Sequence, residues 1–252
     1  MNDRERSARY LDIEKWLRGQ VLNGKEGDPL PSESELATQF GVSRMTARHA
    51  MQNLASESLV RRHRGSGTFI APRPLHRHSG PLMSFTADMR RRGLSASSTL
   101  IKAELREAQA AEVDALRLEP NGRVVAIHRT RLADATPMAI EHTSLTPDCA
   151  PVLAGDLETG SLHQALTALG REPMTAMSWI SARAATQAES KLLRLSSRSP
   201  VLVEKRIISD QDGRPLEFTT TVYNSERYVI DAVFTLASAT TLAASRESLA
   251  AL

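Results

Sequence analysis

The chain has 252 residues, enough for two domains of ordinary size, and carries a net charge of +3. Its single cysteine excludes an intramolecular disulfide, and no Cys/His spacing of the zinc-binding kind occurs. No apolar run approaches the ~20 residues of a membrane-spanning helix, and the charged N-terminus MNDRERSARY lacks the apolar region of a signal peptide.

The positive charge is confined to the first third of the chain. Residues 1–80 contain 13 Lys and Arg against 9 Asp and Glu, a net charge of +4, whereas the remainder contains 19 against 20, a net charge of −1. This split is expected when only one end of a protein faces phosphates. We therefore expect an N-terminal part that binds nucleic acid, in a cytoplasmic protein with no membrane association and no metal or other cofactor.

The first predicted helix spans residues 9–22. Tyr10, Ile13, Leu17 and Val21 recur at helical spacing and therefore share one apolar face. We expect this face to pack beneath the third predicted helix, which carries the basic residues described below.

A second, shorter helix follows a capping signal. Ser32-Glu33-Ser34-Glu35 has the S-x-x-E form of a capping box, in which the Ser32 hydroxyl accepts from the Glu35 N–H and the Glu35 carboxylate accepts from the Ser32 N–H. Leu36 and Phe40 lie four residues apart and form the apolar stripe of this helix. Gly41 supplies the left-handed residue that ends it.

A third helix is predicted to begin at Ser43 as its N-cap. Four apolar residues at i, i+3, i+4 and i+7 predict one buried face: Ala47, Ala50, Met51 and Leu54. The opposite face is polar, with Arg44, Arg48 and Gln52 along it and Thr46 and Asn53 at its margins. Arginine can donate two hydrogen bonds to guanine O6 and N7, and it also binds phosphate. Because a helix in the major groove contacts bases with its N-terminal residues, Arg44, Thr46 and Arg48 are predicted to contact DNA.

A basic hairpin follows. Residues 59–64 and 68–70 are predicted strands around Gly65-Ser66-Gly67, and basic residues 61–64 precede the tip. Glycines at the tip let backbone N–H groups approach a phosphate or enter a narrow minor groove. A solvated hairpin with chance basic residues is the alternative. DNA binding is favoured because the hairpin, the basic helix and the cap occur together at helix-turn-helix spacing.

These motifs resemble the winged-helix DNA-binding domain of GntR-type bacterial regulators. The matching stretches are LPSE, E-L-A, F-G-V-S-R-x-T-x-R, L-V-x-R and G-S-G-T-F, within residues 8–71. The resemblance implies that Arg44, Thr46 and Arg48 contact DNA and that Gly67 at the wing tip enters the minor groove. Ser58 stands where the family often has glycine, a conservative change for a turn. The full set of predicted DNA-binding residues is Ser32, Glu33, Ser43, Arg44, Thr46, Arg48, Arg64, Gly65, Ser66, Gly67 and Thr68.

A linker is predicted at residues 72–80, between a DNA-binding domain at 1–71 and a second domain at 81–234. Two prolines and a glycine disfavour a helix there and favour an extended, semi-rigid run. His76 and His78 could bind a metal, although two histidines in a linker are usually solvated. Residues 235–252 are rich in Ala, Ser and Thr and are predicted to be a weak helix or tail.

The second domain is predicted to be α+β, an antiparallel sheet with helices on one side. Strands at 124–132 and 138–145 form one hairpin through a turn at 134–137, and strands at 201–208 and 215–223 form another through 212–214. A further strand is predicted at 178–184, and helices are predicted at 109–116, 161–169 and 187–195.

A polar pocket is predicted from the alternation of side chains along these strands. Arg129 and Arg131 share a face with apolar residues, so they require either solvent or an anion, and Glu141 lies on the paired strand. Glu217 shares a face with Thr219, Thr221 and Tyr223 on another strand. Ser161 begins a helix, where free N–H groups attract an anion. We expect a site for a phosphate or carboxylate and for hydroxyl groups.

Each of these residues also has a purely structural interpretation. Arg129 and Arg131 could instead pair on the surface with Glu141 or Glu217, and His163 could lie on a helix surface or be partly buried. Packing alone is the alternative role of two aromatic residues, Tyr223 and Tyr228.

The second domain resembles the UTRA effector domain of the HutC-like branch of GntR regulators. The motifs, within residues 81–233, are Ser84-Phe85, Met89-x-x-Arg-Gly, Arg129-x-Arg131, Pro-Met-x-x-Glu141, Gly-Ser-Leu, Gly-x-Pro-x-Glu217 and Arg227-Tyr228. The resemblance implies a fold similar to chorismate lyase, a homodimer and ligand-controlled repression. The predicted effector-binding residues are Ser84, Phe85, Thr86, Arg129, Arg131, Glu141, Ser161, His163, Glu217, Tyr223 and Tyr228.

Two positions depart from that pattern. His163 stands where relatives often have tyrosine, and Asn224 where an arginine often follows the tyrosine. Both concern the pocket, so the effector cannot be transferred from one relative. The branch includes responders to amino-sugar phosphates, other phosphorylated sugars, urocanate and phosphonate or phosphate status.

The leading hypothesis is a dimeric transcriptional repressor, not an enzyme, that binds palindromic double-stranded operator DNA and responds to a small anionic metabolite. A second hypothesis is a chorismate-lyase-like enzyme domain fused to a DNA-binding domain, with Glu141, Glu217 or His163 as acid and base. No nucleophile–base motif or metal site supports it. A third is a constitutive DNA-binding dimer without a ligand.

Overall fold

The computed structural model describes residues 3–57, 59–63, 65–72, 74–78 and 83–232. The chain divides into two compact units, Met1–Pro74 and Leu75–Leu252. Arg64 of the predicted wing and the predicted tail at 235–252 lie outside the described residues. Among the described helices, none is long and apolar enough to cross a membrane.

Three helices and a small sheet form the N-terminal unit. Its elements are α1 (Asp3–Asn23), β1 (Pro29–Leu30), α2 (Glu33–Phe40), α3 (Arg44–Ser56), β2 (Val60–His63) and β3 (Gly67–Ile70). The three strands pair antiparallel in the order β1-β3-β2. All three predicted helices and the predicted hairpin are present. The short strand β1 was not predicted.

The predicted apolar faces meet in one core. Its fully buried side chains include Ile13 and Leu17 of α1, Leu36 of α2 and the α3 residues Ala47, Ala50, Met51 and Leu54. Both predicted caps are also present: the Ser32–Glu35 capping box begins α2, and Gly41, with φ of 62°, ends it. Local signals therefore placed α2 and α3 correctly, and burial of the apolar faces of all three helices holds the unit together.

The C-terminal unit alternates strands with short helices. Its elements are β4 (Leu75–His78), α4 (Phe85–Arg91), β5 (Ala96–Glu107), α5 (Ala110–Leu116), β6 (Arg123–Ala133), β7 (Thr136–Leu145), a 3-10 helix (Pro147–Ala154), α6 (Leu162–Ala168), β8 (Pro173–Ala184), α7 (Gln187–Leu192), β9 (Pro200–Asp210), β10 (Pro215–Asn224) and β11 (Tyr228–Asp231). Six strands form one antiparallel sheet in the order β5-β6-β7-β10-β9-β8, and β4 pairs parallel with β11. The α+β prediction and both predicted hairpins are confirmed.

Helices cover both faces of the six-stranded sheet, so the prediction of helices on one side is wrong. Val125 and Ile127 are buried against α6 and the 3-10 helix. Ile140 and Val222, which face the other way, pack with Leu193 beside α7. A sheet with apolar residues on both faces must be covered on both.

Three further predictions differ from the structure. Residues 75–78 of the predicted linker form β4, which pairs with β11. The turn between β6 and β7 consists of Asp134 and Ala135 alone, both with positive φ, so Thr136 and Pro137 belong to β7. The long strand β5 was missed because a register shift between Leu100 and Lys102 interrupts its alternation.

Candidate functional site

The outward face of α3 is basic. The Ser43 hydroxyl caps the helix by accepting from the backbone N–H of Thr46 at 3.2 Å. Arg44 and Arg48 are exposed on the side away from the core, and neither guanidinium has an ion-pair partner among the described residues. These two side chains are therefore available to an external anion.

The other predicted DNA-binding residues near the helices have structural roles as well. Thr46 is half-buried, and its hydroxyl lies 2.9 Å from the Ser43 hydroxyl. Ser32 donates its N–H to the Glu35 carboxylate at 2.7 Å, and Glu33 forms an ion pair with Arg62 of β2. These contacts hold the first turns of α2 and α3 in place.

The predicted wing tip lies between β2 and β3. Gly65 and Gly67 have φ of 81° and 116°, which residues with a side chain rarely adopt. The Ser66 N–H donates to the His63 carbonyl at 3.0 Å and closes the turn, and Thr68 pairs with Arg62 across the hairpin. Both glycines are therefore needed for the shape of this tip.

Ten of the eleven predicted effector residues line one cavity in the C-terminal unit. They are Ser84, Phe85, Thr86, Arg129, Arg131, Glu141, His163, Glu217, Tyr223 and Tyr228. The cavity leaves about 50 Å³ for the centres of water-sized molecules. Ser161 is not among the lining residues, and its hydroxyl accepts from the Gln164 N–H at 3.4 Å as the N-cap of α6.

Sequence reasoning missed several residues that line this cavity. Those that were not predicted as effector residues are Arg77, Met83, Asp88, Ala139, Leu162, Arg206, Thr219 and Thr221. The strand alternation had already placed Thr219 and Thr221 on the face of Glu217. Arg77 was missed because its segment was predicted to be a linker. Nothing in the local sequence of β9 distinguishes Arg206.

The arginine pair of β6 is buried in the cavity wall. Arg129 and Arg131 are 2% and 3% exposed, which overturns the alternative of a surface pair. Arg129 Nε donates to Glu141 Oε2 at 2.6 Å, and its Nη1 donates to the Leu157 carbonyl at 3.2 Å. Burial raises the pKa of the Glu141 carboxyl, but the charges of the two arginines outweigh it and lower that pKa to about 2.

Arg131 has fewer partners than its neighbour. Its Nη2 donates to the Thr86 hydroxyl at 3.2 Å, and its guanidinium carbon lies 4.6 Å from the centre of the Phe85 ring. Its Nη1 is 3.9 Å from Glu141 Oε2, too far for a hydrogen bond. Nε and Nη1 have no hydrogen-bond partner among the described residues. Burial lowers the pKa of this guanidinium to about 10.

A second charged cluster is centred on Glu204. Its carboxylate accepts from Arg77 and Arg206 at 2.7 Å each and from the Tyr223 hydroxyl at 2.9 Å. Arg77 also lies over the rings of Tyr223 and Tyr228, which stack with centroids 4.3 Å apart. Burial raises the pKa of Glu204, but hydrogen bonds and charge from the two arginines lower it to about 2.

Glu217 lies on the same face of the sheet as these clusters and has its own neighbours. His163 Nε2 is 3.3 Å from Glu217 Oε2, and the Thr219 hydroxyl donates to the same carboxylate. Burial raises the pKa of Glu217, but nearby His163 and the hydrogen bond from Thr219 together outweigh it, so the net direction is downward. His163 is partly buried in the cavity wall rather than on the helix surface.

The cavity therefore combines two kinds of binding group. The guanidinium of Arg131, two of whose nitrogens lack partners among the described residues, suits a phosphate or carboxylate as acceptor. The carboxylates of Glu141 and Glu217 and the hydroxyls of Thr219 and Thr221 suit sugar hydroxyls. Among the described residues, no cluster of three or more metal-binding side chains occurs.

Comparison with known proteins gives the same two parts. Residues 9–70 match the family described as "Bacterial regulatory proteins, gntR family", and residues 91–229 match the "UTRA domain". The HTH-type transcriptional repressor NagR of Bacillus subtilis is 35% identical over 222 residues, which cover 87% of this chain and 91% of that protein. The mannosyl-D-glycerate transport/metabolism system repressor MngR of Escherichia coli is 28% identical over 87% of this chain and 92% of that protein.

A solved structure agrees with the fold. The crystal structure of PhnF from Mycobacterium smegmatis superposes with a TM-score of 0.64 at 25% identity, over 89% of this chain and 100% of that chain. The relatives are named as transcriptional repressors, which overturns the enzyme hypothesis. The chain is a transcriptional repressor that belongs to the GntR family, in the HutC-type branch whose members join a GntR helix-turn-helix domain to a UTRA domain.

Proposed function

We propose that this repressor binds a palindromic operator as a homodimer and that a small anionic metabolite in the C-terminal cavity controls its affinity for DNA. Arg44 and Arg48 contact the operator from α3, and the glycine-tipped wing contacts the adjacent groove. A dimer of such units reads two half-sites roughly one helical turn apart.

The buried Arg131 guanidinium is the observation that carries the effector proposal. Its Nε and Nη1 lack hydrogen-bond partners among the described residues, although the side chain is only 3% exposed. Leaving a buried charged donor unsatisfied costs about 1–3 kcal/mol or more. A bound phosphate or carboxylate would supply the missing acceptors and neutralise the charge.

The remaining lining residues narrow the class of effector. Asp88, Glu141 and Glu217 offer carboxylates, and Thr219 and Thr221 offer hydroxyls. A sugar that bears a phosphate or carboxylate satisfies both sets, with its anion on Arg131 and its hydroxyls on the acceptors. The relative MngR is named for mannosyl-D-glycerate, a sugar joined to a carboxylate, which fits this class.

Arg77 is the residue through which we propose that effector binding in the cavity affects the DNA-binding unit. It lies on β4, which begins at Leu75, directly after the N-terminal unit ends at Pro74. An anionic effector competes with Glu204 for this guanidinium and so changes the forces on β4. To release DNA, the effector must bind the conformation that does not bind DNA more tightly, because equal affinity shifts no equilibrium.

Thermal unfolding tests the effector proposal. The purified protein is heated with sugar phosphates, phosphonates, inorganic phosphate and small carboxylates, and a ligand at ~100 times its Kd adds roughly 2.7 kcal/mol. In Arg131→Met the shift is lost, while the ligand-free unfolding temperature stays the same or rises because an unsatisfied buried charge has been removed. Arg90→Met, a change at an exposed arginine of α4, is the matched control and keeps the shift.

Two results would contradict the proposal. If the ligand raises the unfolding temperature of Arg131→Met as much as that of the wild type, the anion does not bind at this guanidinium. A ligand that stabilises the protein without changing its operator affinity in gel shifts would be bound but would not regulate. No shift across the whole panel, with DNA binding intact, would favour the constitutive dimer without a ligand.

A further inference from the structure

An apolar side chain stands on the basic outward face of α3. Met45 is 69% exposed, directly after Arg44 in the first turn of the helix. The other exposed residues on this face include Arg48, His49 and Gln52, all polar. Leaving a methionine exposed to water gains nothing for the stability of the unit.

Helical geometry places Met45 at the centre of that face. The buried residues Ala47, Ala50, Met51 and Leu54 define the direction of the core. At 3.6 residues per turn, the direction opposite to them falls on Met45, with Arg48 and Gln52 beside it. Thr46 lies off this direction: it is half-buried, and its hydroxyl contacts Ser43.

The edges of the bases in the major groove offer one apolar partner for such a side chain. Thymine alone presents a C5 methyl group there, whereas the other standard base edges present hydrogen-bonding groups. Methionine is flexible and polarisable and adapts to a small apolar surface. Neighbouring Arg44 and Arg48 suit guanine or phosphate.

We infer that Met45 is a specificity-determining residue that contacts the C5 methyl of a thymine in each operator half-site. The inference rests on the proposed operator binding by α3. Met45 was not among the predicted DNA-binding residues, whereas Thr46 was predicted to contact DNA from the margin of this face. The inference predicts that the operator contains a position where thymine is required for its methyl group rather than for its hydrogen bonds.

The test begins with the full-length protein and a library of randomised DNA duplexes. Repeated selection gives the preferred operator, and each thymine of one half-site is then replaced by deoxyuridine, which lacks only the methyl group. At one position we expect wild-type affinity to fall about fourfold, the ratio that corresponds to ~0.8 kcal/mol for one methyl-sized group.

Variants at position 45 are then measured on the same thymine and deoxyuridine duplexes. Because a homodimer presents Met45 to both half-sites, Met45→Ala binds the thymine operator about sixteenfold more weakly. It shows no further loss with deoxyuridine at that position, whereas Met45→Leu retains the difference. Leu11→Ala, a change at another exposed apolar residue, on α1 (56% exposed), keeps the wild-type response to deoxyuridine.

The outcomes separate the two proposals. If deoxyuridine at every thymine leaves wild-type affinity within twofold, or if Met45→Ala shows the same loss as the wild type, Met45 does not read a thymine methyl although operator binding stands. If the selection with the wild-type protein enriches no duplex sequence, operator binding itself is rejected, and the assignment of Met45 is rejected with it.

Discussion

Arginines occur in two contrasting settings in this protein. On α3, Arg44 and Arg48 are exposed and have no ion-pair partner among the described residues. In the cavity, Arg129 and Arg131 are 2% and 3% exposed, and Glu141 lies beside both. The same side chain is thus presented unpaired to solvent in one unit and held with a carboxylate inside the other.

Desolvation explains the difference. A guanidinium in water keeps its hydration, so an exposed arginine can remain unpaired until a polyanion arrives. Burying a charge costs several kcal/mol unless a counter-charge and hydrogen bonds replace the water. The cavity therefore needs carboxylates of its own, and Arg131, whose hydrogen bonds are incomplete, is the place where we propose that an external anion binds.

The largest effect should come from removing a carboxylate in the cavity. Glu141→Gln leaves Arg129 and Arg131 buried without their counter-charge, and breaking a buried pair of this kind costs about 3–5 kcal/mol. Urea unfolding should show this loss, followed by Trp179 fluorescence in a Trp16→Phe background so that only the C-terminal unit reports.

A surface pair provides the matched control for that change. Glu104 lies 2.6 Å from Lys102, which is 65% exposed, so Glu104→Gln should cost less than about 1 kcal/mol. Equal losses in the two variants would show that burial does not distinguish the cavity pair from a surface pair.

Acid should destabilise the C-terminal unit by protonating two of its buried carboxylates, those of Glu141 and Glu204. The folded state lowers the pKa of Glu141 and of Glu204 to about 2, from the ordinary value of 4.5. Their contribution is therefore complete above about pH 4.5 and is lost as the pH falls toward 2. For Glu141 alone the loss is on the order of 3 kcal/mol. Urea unfolding between pH 7 and pH 3 should show roughly 2 kcal/mol of this loss, because the rest is lost only as the pH approaches 2.

Glu141→Gln sharpens this pH experiment as well. The variant lacks one of these shifted carboxyls, so its stability should fall less steeply with acid than that of the wild type. Parallel curves for the two proteins would mean that Glu141 does not carry the acid dependence.

A substitution on the outward face of α3 should have the smallest effect on stability. It should nevertheless weaken DNA binding clearly. Arg48→Ala should weaken operator binding by about 1–3 kcal/mol and change the free energy of unfolding by no more than about 0.5 kcal/mol, because the side chain is exposed. Gel shifts and urea unfolding measure the two quantities. Arg90→Ala, at an exposed arginine of the other unit, should leave both unchanged; unaltered operator affinity in Arg48→Ala would remove this residue from the interface.

The two units also differ in how far they could be predicted. In the N-terminal unit, the caps at Ser32 and Ser43 and the apolar spacing of α3 lie within a few residues of the elements that they specify. In the C-terminal unit, the hairpins were predicted because their strands are neighbours in sequence. The strand β4 was missed because its partner β11 lies about 150 residues later, and no local pattern reports such a pairing.

The candidate cavity shows the same limit. Alternation placed Arg129 and Arg131 on one face of β6 and Glu217 on one face of β10, and the pairing of both strands with β7 brings all three to the cavity wall. Ser161 was predicted from a helix start alone; it caps α6 but does not line the cavity. Arg77 joined the cavity only through the parallel pairing of its strand.

Contacts between residues close in the chain specify the basic helix, its caps, the glycine-tipped hairpin and the alternation of the central strands, so these features could be predicted from the amino-acid sequence. The packing of distant segments buries Arg129 and Arg131 and leaves Nε and Nη1 of Arg131 without hydrogen-bond partners among the described residues. Burial and hydrogen-bond satisfaction depend on which distant segments pack together, and that is settled when the apolar faces of the sheet and helices leave water as one unit.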